Sequence, residues 1–323
     1  MNLRATSQAL VSEMRDIYAS LLNDAEGVSD LKILHTTLTE MSRAFQVFAP
    51  YRHVRKVSVF GSARNTLTDE VYAQAAAFGQ KIVGAGFMVI TGAGDGIMRA
   101  VQGGAGRADS FGMNILLPFE QEANEFIEND KKLATFKYFF ARKLFFVREA
   151  HAIVLFPGGF GTHDEGFETL TLLQTGKSVP MPLVMVDQPR GTYWTRWREY
   201  VVSELLGRGL IEEEDVHLFR IVYDVEEAVA EITRFYRTYH SMRFVNGQLI
   251  LRLEHAVGTV QMEQLNRDFS DIVLEGRITE TAPLPEEADE PHLSALPRIT
   301  FSFNKKNFGR LRQMIDAINC DTP

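Results

Sequence analysis

Apolar positions in the first 49 residues recur at spacings of three and four: Leu10, Met14, Ile17 and Leu21, then Leu31, Leu34, Leu38, Met41 and Phe45. That period predicts one or two amphipathic helices, broken at "NDAEGVSD". From Lys56 the pattern changes to short apolar runs rich in β-branched residues. These candidate strands are "KVSVF" (56–60), "FMVIT" (87–91), "SFGMNILL" (110–117), "AIVLF" (152–156), "PLVMVD" (182–187) and "FRIVYD" (219–224). Helical stretches separate them: "DEVYAQAAAFGQKIVGAG", "GIMRAVQGGAGRA", "LATFKYFFARKLFFVREA", "ETLTLLQTG" and "WTRWREYVVSELLGRG". Alternation of this kind predicts a doubly wound parallel sheet with helices on both faces, joined by right-handed crossovers.

After about Tyr239 the pattern changes again. "MRFVNGQLILRLE" reads as a hairpin or one long strand, and "QMEQLNRDFSDIV" contains a helix. The acidic, proline-bearing "TAPLPEEADEPHLSALP" reads as a loop, "RITFSF" as a strand and "KKNFGRLRQMIDAIN" as a helix. The expected organisation is a helical segment at 1–49, an α/β catalytic domain at 50–239 and a small α+β appendage at 240–323.

Composition narrows the classes. At 323 residues, with 45% hydrophobic and 24% charged residues, the chain can bury a sizeable core. A formal charge of −8 argues against broad nucleic-acid or anionic-membrane binding. The single cysteine, Cys320, leaves no disulfide framework and no cysteine metal site, and no metal or cofactor is implied. The start has no signal-peptide core and no stretch approaches a membrane span, so a soluble cytoplasmic protein is expected.

Candidate chemistry sits where strands end. Three glycine-bearing turns each follow an apolar run: Gly61-Ser62-Ala63-Arg64, Gly92-Ala93-Gly94-Asp95-Gly96 and Pro157-Gly158-Gly159-Phe160-Gly161-Thr162. In a parallel sheet all three lie at the carboxyl edge, where ligands of open α/β proteins bind. Each leads into a helix N-terminus, whose unpaired N–H groups and dipole favour an anion. Thr162 and Ser62 add hydroxyl donors. Glycine can also serve packing alone in such turns, but three on one edge favour a phosphate-bearing ligand. No turn gives a good dinucleotide fingerprint and no P-loop is present, so the site looks built for one phosphate.

Glu165 lies three residues past Thr162 in the following helix, beside the anion site. Taken alone, Asp164 and Glu165 are capping or dipole residues. A carboxylate repels phosphate, however, so its placement makes most sense if it faces the sugar of a nucleoside monophosphate. There it would stabilise positive charge developing at C1′. The aromatic stretch "TFKYFFARKLFFVREA" supplies two cations. Lys143 reads as solvated, while composition leaves Arg142 open between the pocket and the packed surface. Glu168, one turn beyond Glu165, could face the same pocket or be merely exposed.

"PGGFGTHDE" resembles the P-G-G-x-G-T-x-x-E signature of the Lonely Guy (LOG) family, and "ARKLFFVREAHAIVLFPGGFGT" resembles its R-K helix leading into that turn. "VFGSAR" and "TGAGDGIMRAVQGGA" are similar to the first and second turns of the family, with Ala93 where glycine is commoner. "GMNILLPFEQEANEFI" and "TLLQTGK" look like longer bacterial members, and the likeness spans about 55–237. Members were often labelled possible lysine decarboxylases, yet no motif here identifies a Schiff-base lysine or a pyridoxal phosphate site.

The resemblance implies a Rossmann-like fold and hydrolysis of the N-glycosidic bond of a nucleoside 5′-monophosphate, of AMP or cytokinin riboside monophosphate type. Free base and ribose 5-phosphate are the products. It implies Arg142 and Glu165 as the catalytic pair, with Gly158, Gly159, Gly161 and Thr162 as the phosphate cradle. Gly61, Ser62, Gly92, Gly94, Gly96 and Glu168 complete the expected binding set. Glu165 would stabilise the oxocarbenium-like centre or orient water. LOG relatives pair through helices flanking the site, which implies a homodimer or higher homo-oligomer. The rival is a non-catalytic nucleotide-sensing module with 240–323 as its output. His255 and His292 are isolated, and 240–323 shows no catalytic constellation.

Overall fold

A computed structural model describes residues 3–24, 28–117 and 122–320. The break at 25–27 and the part of the family-like stretch at 118–121 lie outside the described residues. Two helices, α1 (Leu3–Asp24) and α2 (Val28–Phe48), precede the sheet. The α/β body runs β1 (Lys56–Phe60), α3 (Glu70–Gly84), β2 (Met88–Thr91), α4 (Ile97–Ala105), β3 (Ser110–Ile115) and β4 (Leu133–Phe136). It continues α5 (Phe139–Arg148), β5 (Ala152–Leu155), α6 (Phe160–Gln174), β6 (Leu183–Val186), α7 (Tyr193–Tyr200), β7 (Arg220–Val222) and α8 (Val225–Phe235). The C-terminal part comprises β8 (Tyr239–Val245), β9 (Gln248–Leu253), α9 (Thr259–Asp268), β10 (Thr279–Glu280), β11 (Arg298–Phe301) and α10 (Phe308–Asn319).

Among the described residues, seven strands form one sheet in the order β4-β3-β2-β1-β5-β6-β7, and every neighbouring pair is parallel. The chain enters at the central strand, winds outward to β4, then returns beside β1 and winds the other way. The order therefore reverses between β1 and β5, which opens a crevice beyond their carboxyl ends.

Alternation along the strands explains the two covered faces. Val57, Val59, Val89, Val154 and Val184 point into a core with α3, α4 and α8 residues such as Phe78, Val101 and Ile232. Their neighbours point the other way. Ile90 packs with Phe48, Phe145 and Phe146, and Ile153, Leu155 and Met185 pack with Trp194 and Trp197. Ser58 donates from its hydroxyl to the Phe146 carbonyl at 2.7 Å, which satisfies a buried polar group and ties α5 to the central strand.

One strand departs from expectation. "LATF", read as the start of a helix, is β4, which pairs with β3 through Asn114 and Thr135. Leu133 and Thr135 are half-buried while Ala134 and Phe136 are buried, the period-two pattern of an edge strand. The helix begins only at Phe139. "WTRWREYVVSELLGRG" also splits, because α7 ends at Tyr200 and continues as a π-helical turn, Val201–Leu206.

The hairpin of β8 and β9 joins β11 and β10 in an antiparallel sheet, order β10-β11-β9-β8. Leu249, Leu251, Phe301 and Met314 share one continuous core with the valines of the parallel sheet. Asn319 clips the end of α10 in place. Its Oδ1 accepts from the Thr238 and Tyr239 N–H groups at 2.8 and 3.0 Å, and its amide donates to the Phe235 and Ile315 carbonyls. By contrast, no described α1 side chain is buried, and Leu10, Met14 and Ile17 face solvent.

Candidate functional site

The three turns meet at the strand-order reversal and are laced together by backbone. Ser62 N–H donates to the Pro157 carbonyl at 3.1 Å, and Ile97 N–H donates to the Ser62 carbonyl at 3.0 Å. Gly96 makes the second contact feasible. Its φ of 65° suits glycine, and a Cβ there would sit 2.2 Å from the Ser62 oxygen. Ala93, where the family signature more often has glycine, also takes a positive φ, 63°, and its N–H is held by Thr91 Oγ1 at 3.0 Å. At the third turn, a Cβ on Gly158 would fall 2.1 Å from Thr162 Oγ1.

Beyond these turns lies a cleft of about 760 Å³. Gly61, Ser62 and Gly92 line it from the first two turns, and Gly158, Gly159, Gly161 and Thr162 line it from the third. Arg142 lines it from α5 and Glu165 from α6. Three of the expected binding residues are not in the lining. Asn124 holds the Gly94 carbonyl at 2.8 Å, Gly96 packs the second turn on the first, and Glu168 is turned toward α5.

Lys143 corrects the sequence reading. It is not solvated: its ammonium lies between Asp164 (2.7 Å) and Glu168 (2.6 Å), with the side chain 14% exposed. Burial works against that charge, but the two carboxylates outweigh it and hold Lys143 above its ordinary value. Glu168 thus acts on α5 and not on the cleft.

Glu165 is only 5% exposed and makes no comparable pair among the described residues. Burial pushes its carboxyl up to about 7, against the pull of Lys143 and then Arg142. Burial likewise draws the Arg142 guanidinium below its ordinary value, opposed by Glu165 and Asp164. Its Nε is buried without a hydrogen-bond partner among the described residues, and the group rests near the rings of Phe139 and Phe146, 5.0 and 5.5 Å from their centroids. A carboxyl poised near neutrality and a guanidinium with an unpartnered Nε therefore share one cleft with a helix N-terminus. Such groups can bind an anionic sugar and exchange a proton with water at neutral pH.

Residues 95–232 match the family described as Possible lysine decarboxylase. Over this segment the chain is similar to that family, in agreement with the LOG resemblance of its motifs. No curated protein sequence matches the chain. Among solved structures, the molybdenum cofactor binding protein of Rippkaea orientalis is 18% identical, with 56% of this chain and 96% of that chain covered, at a TM-score of 0.40. The molybdenum cofactor carrier protein of Chlamydomonas reinhardtii gives 18%, 56%, 97% and 0.40. DNA processing protein A of Helicobacter pylori gives 14%, 57%, 82% and 0.36.

The matched segment contains Arg142, Glu165 and the third turn, while Gly61, Ser62 and Gly92 precede it. Two of its residues near the cleft escaped the sequence reading. His163 lines the cleft and hydrogen-bonds the Tyr193 hydroxyl at 2.7 Å, and that hydroxyl donates to the Gly158 carbonyl at 2.5 Å. His163 was legible as a titratable group inside "PGGFGTHDE"; Tyr193, a βα unit away, carried no signal. A second cavity of about 730 Å³ lies beside β7, but its buried Glu231 is already paired with Arg312 at 2.7 Å.

Proposed function

We propose that the cleft hydrolyses the N-glycosidic bond of a nucleoside 5′-monophosphate, of AMP or cytokinin riboside monophosphate type. The observation that carries this is Glu165, buried one turn inside an anion-favouring helix N-terminus with its carboxyl raised to about 7. The phosphate sits against the third turn, where the α6 dipole and free N–H groups favour it. The ribose then extends toward Glu165. As the bond from C1′ to the base breaks, ionised Glu165 faces the developing positive charge and orients water for attack. Water supplies the new C1′–O bond; one of its protons stays on the C1′ hydroxyl, and the other passes through Glu165 or solvent to the departing base. Arg142, with a donor to spare, positions the nucleotide and offsets its charge.

Decarboxylation through a lysine imine fits poorly. A nucleophilic lysine needs a lowered pKa, whereas Asp164 and Glu168 raise that of Lys143.

The test is a panel of nucleoside 5′-monophosphates incubated with purified protein, with free base read by chromatography. Base release from at least one monophosphate is expected. Its kcat/KM should exceed that of the free nucleoside by roughly 10²-fold or more, because phosphate binding positions the sugar. Equal values for AMP and adenosine would remove the phosphate cradle. Nucleotides that bind without releasing base would make this a binding site. The exposed α1 face also supports a homo-oligomer; light scattering showing a monomer at micromolar concentration would contradict it.

A further inference from the structure

We infer that Tyr193 and His163 form a positioning relay that turns the Gly158–Gly159 peptide so that its N–H faces a phosphate in the cleft. The inference rests on the phosphate reading above and adds residues to it.

Proton bookkeeping sets the direction of the relay. The Gly158 carbonyl carries no proton, so the Tyr193 hydroxyl must donate to it. The Tyr193 oxygen can then only accept from His163, whose proton is therefore on Nε2. Protonating His163 adds a proton at Nδ1 and leaves this bond in place, so the relay holds in either charge state. Burial lowers the His163 pKa, which keeps the ring neutral at neutral pH.

Peptide geometry supplies the consequence. In a trans peptide the carbonyl and the next N–H point in opposite directions. Gly158 and Gly159 line the cleft and Tyr193 does not, so the hydroxyl draws the carbonyl to the far side of the turn. The Gly159 N–H is thereby aimed into the cleft, and among the described residues it donates to no backbone carbonyl. Without the relay, a glycine pair is free to flip that peptide and present an oxygen to the anion.

The anchor is rigid. The ring of Tyr193 meets that of Trp194 edge-on at 4.8 Å and lies 5.8 Å from that of His163. Trp194 is fully buried, and its indole N–H donates to the Val186 carbonyl at 3.2 Å. The end of β6 thus fixes the orientation of a turn that belongs to β5 and α6.

Tyr193→Phe keeps the ring and removes the hydroxyl. Calorimetry with ribose 5-phosphate should show roughly tenfold weaker binding, the loss of one charge-assisted donor. The kcat/KM for AMP should fall by a similar factor while that for adenosine stays unchanged, a split that a merely structural defect would not produce. His163→Leu should show a smaller loss, and His163→Gln, which keeps an N–H donor, should recover it. Wild-type affinity for ribose 5-phosphate in Tyr193→Phe would overturn the relay, as would equal losses with AMP and adenosine. Binding is read without turnover, so a protein that cleaves no nucleotide would refute the hydrolase while Tyr193→Phe still decides the relay.

Discussion

Arg252 and Arg298 in the antiparallel sheet are both 2% exposed, and Arg142 in the cleft has its Nε buried as well, yet the two regions treat their charges in opposite ways. In the sheet, Arg252 Nε donates to Glu287 at 2.8 Å and its Nη2 to Glu290 at 2.7 Å. Arg298 takes the other side of Glu287 at 3.1 Å and the Leu293 carbonyl at 3.0 Å. Glu287 also accepts the Leu284 N–H at 3.0 Å. Burial would raise the Glu287 carboxyl, but Leu284, Arg252 and Arg298 together bring it below its ordinary value. Glu165 has no such set of partners among the described residues and rises to about 7. Matched burial pins the 281–297 loop to its sheet. Unmatched burial leaves capacity for a ligand, and that difference separates scaffold from site.

Removing a carboxylate from each region breaks the comparison most directly. Glu165→Gln should cut kcat by roughly 10⁴-fold while leaving nucleotide binding in place, because the charge matters more in the transition state. A variant that keeps most of its kcat would make Glu165 a structural group. Glu287→Ala should do the reverse. It leaves two buried guanidinium groups without their carboxylate and should cost about 3–5 kcal/mol in urea unfolding. The folded fraction should retain wild-type kcat; a loss there would mean that the two regions are coupled.

A third outcome separates Glu165 from a settled charge. Its carboxyl lies near 7 in the folded chain and near the ordinary 4.5 when unfolded. Between those values the folded state binds more protons, so the contribution of Glu165 is most favourable below about pH 4.5 and is lost as pH rises through 7. The penalty at pH 8 is on the order of 3 kcal/mol. Glu165→Gln should therefore raise the Tm at pH 8 and change it little near pH 4. Equal Tm values at pH 8 would show that the carboxylate is not desolvated.

What the sequence disclosed follows the same division. The three glycine turns were readable because each depends on a strand ending and on local backbone demands, as Gly96 shows with its positive φ and its approach to Ser62. Arg142 and Glu165 were placed together by the resemblance of their motifs to the LOG family, while composition alone left Arg142 open. The depth of Glu165 was not readable, since burial depends on how α5 lies over α6. For the same reason Lys143 looked solvated and Glu168 looked available, when each satisfies the other across two helices. The four residues of β4 were masked by the aromatic helix that follows, and Tyr193 reaches Gly158 across 35 positions.

The smallest expected effect tests the boundary between the two kinds of charge. Lys143 belongs to a satisfied triad, yet its field reaches Glu165, where it is the foremost charge opposing the effect of burial. Lys143→Met preserves much of the side-chain volume and removes that field. The Glu165 carboxyl should then rise further, and the acid limb of kcat/KM for AMP should move to higher pH in a profile from about pH 5 to 9. Lys143→Arg keeps the cation and should leave the limb in place. The fold should tolerate the change, because the side chains of Asp164 and Glu168 are 59% and 33% exposed and can be hydrated without their partner. An unmoved limb in Lys143→Met would mean that the triad is purely structural and that Arg142 alone sets the ionisation of Glu165.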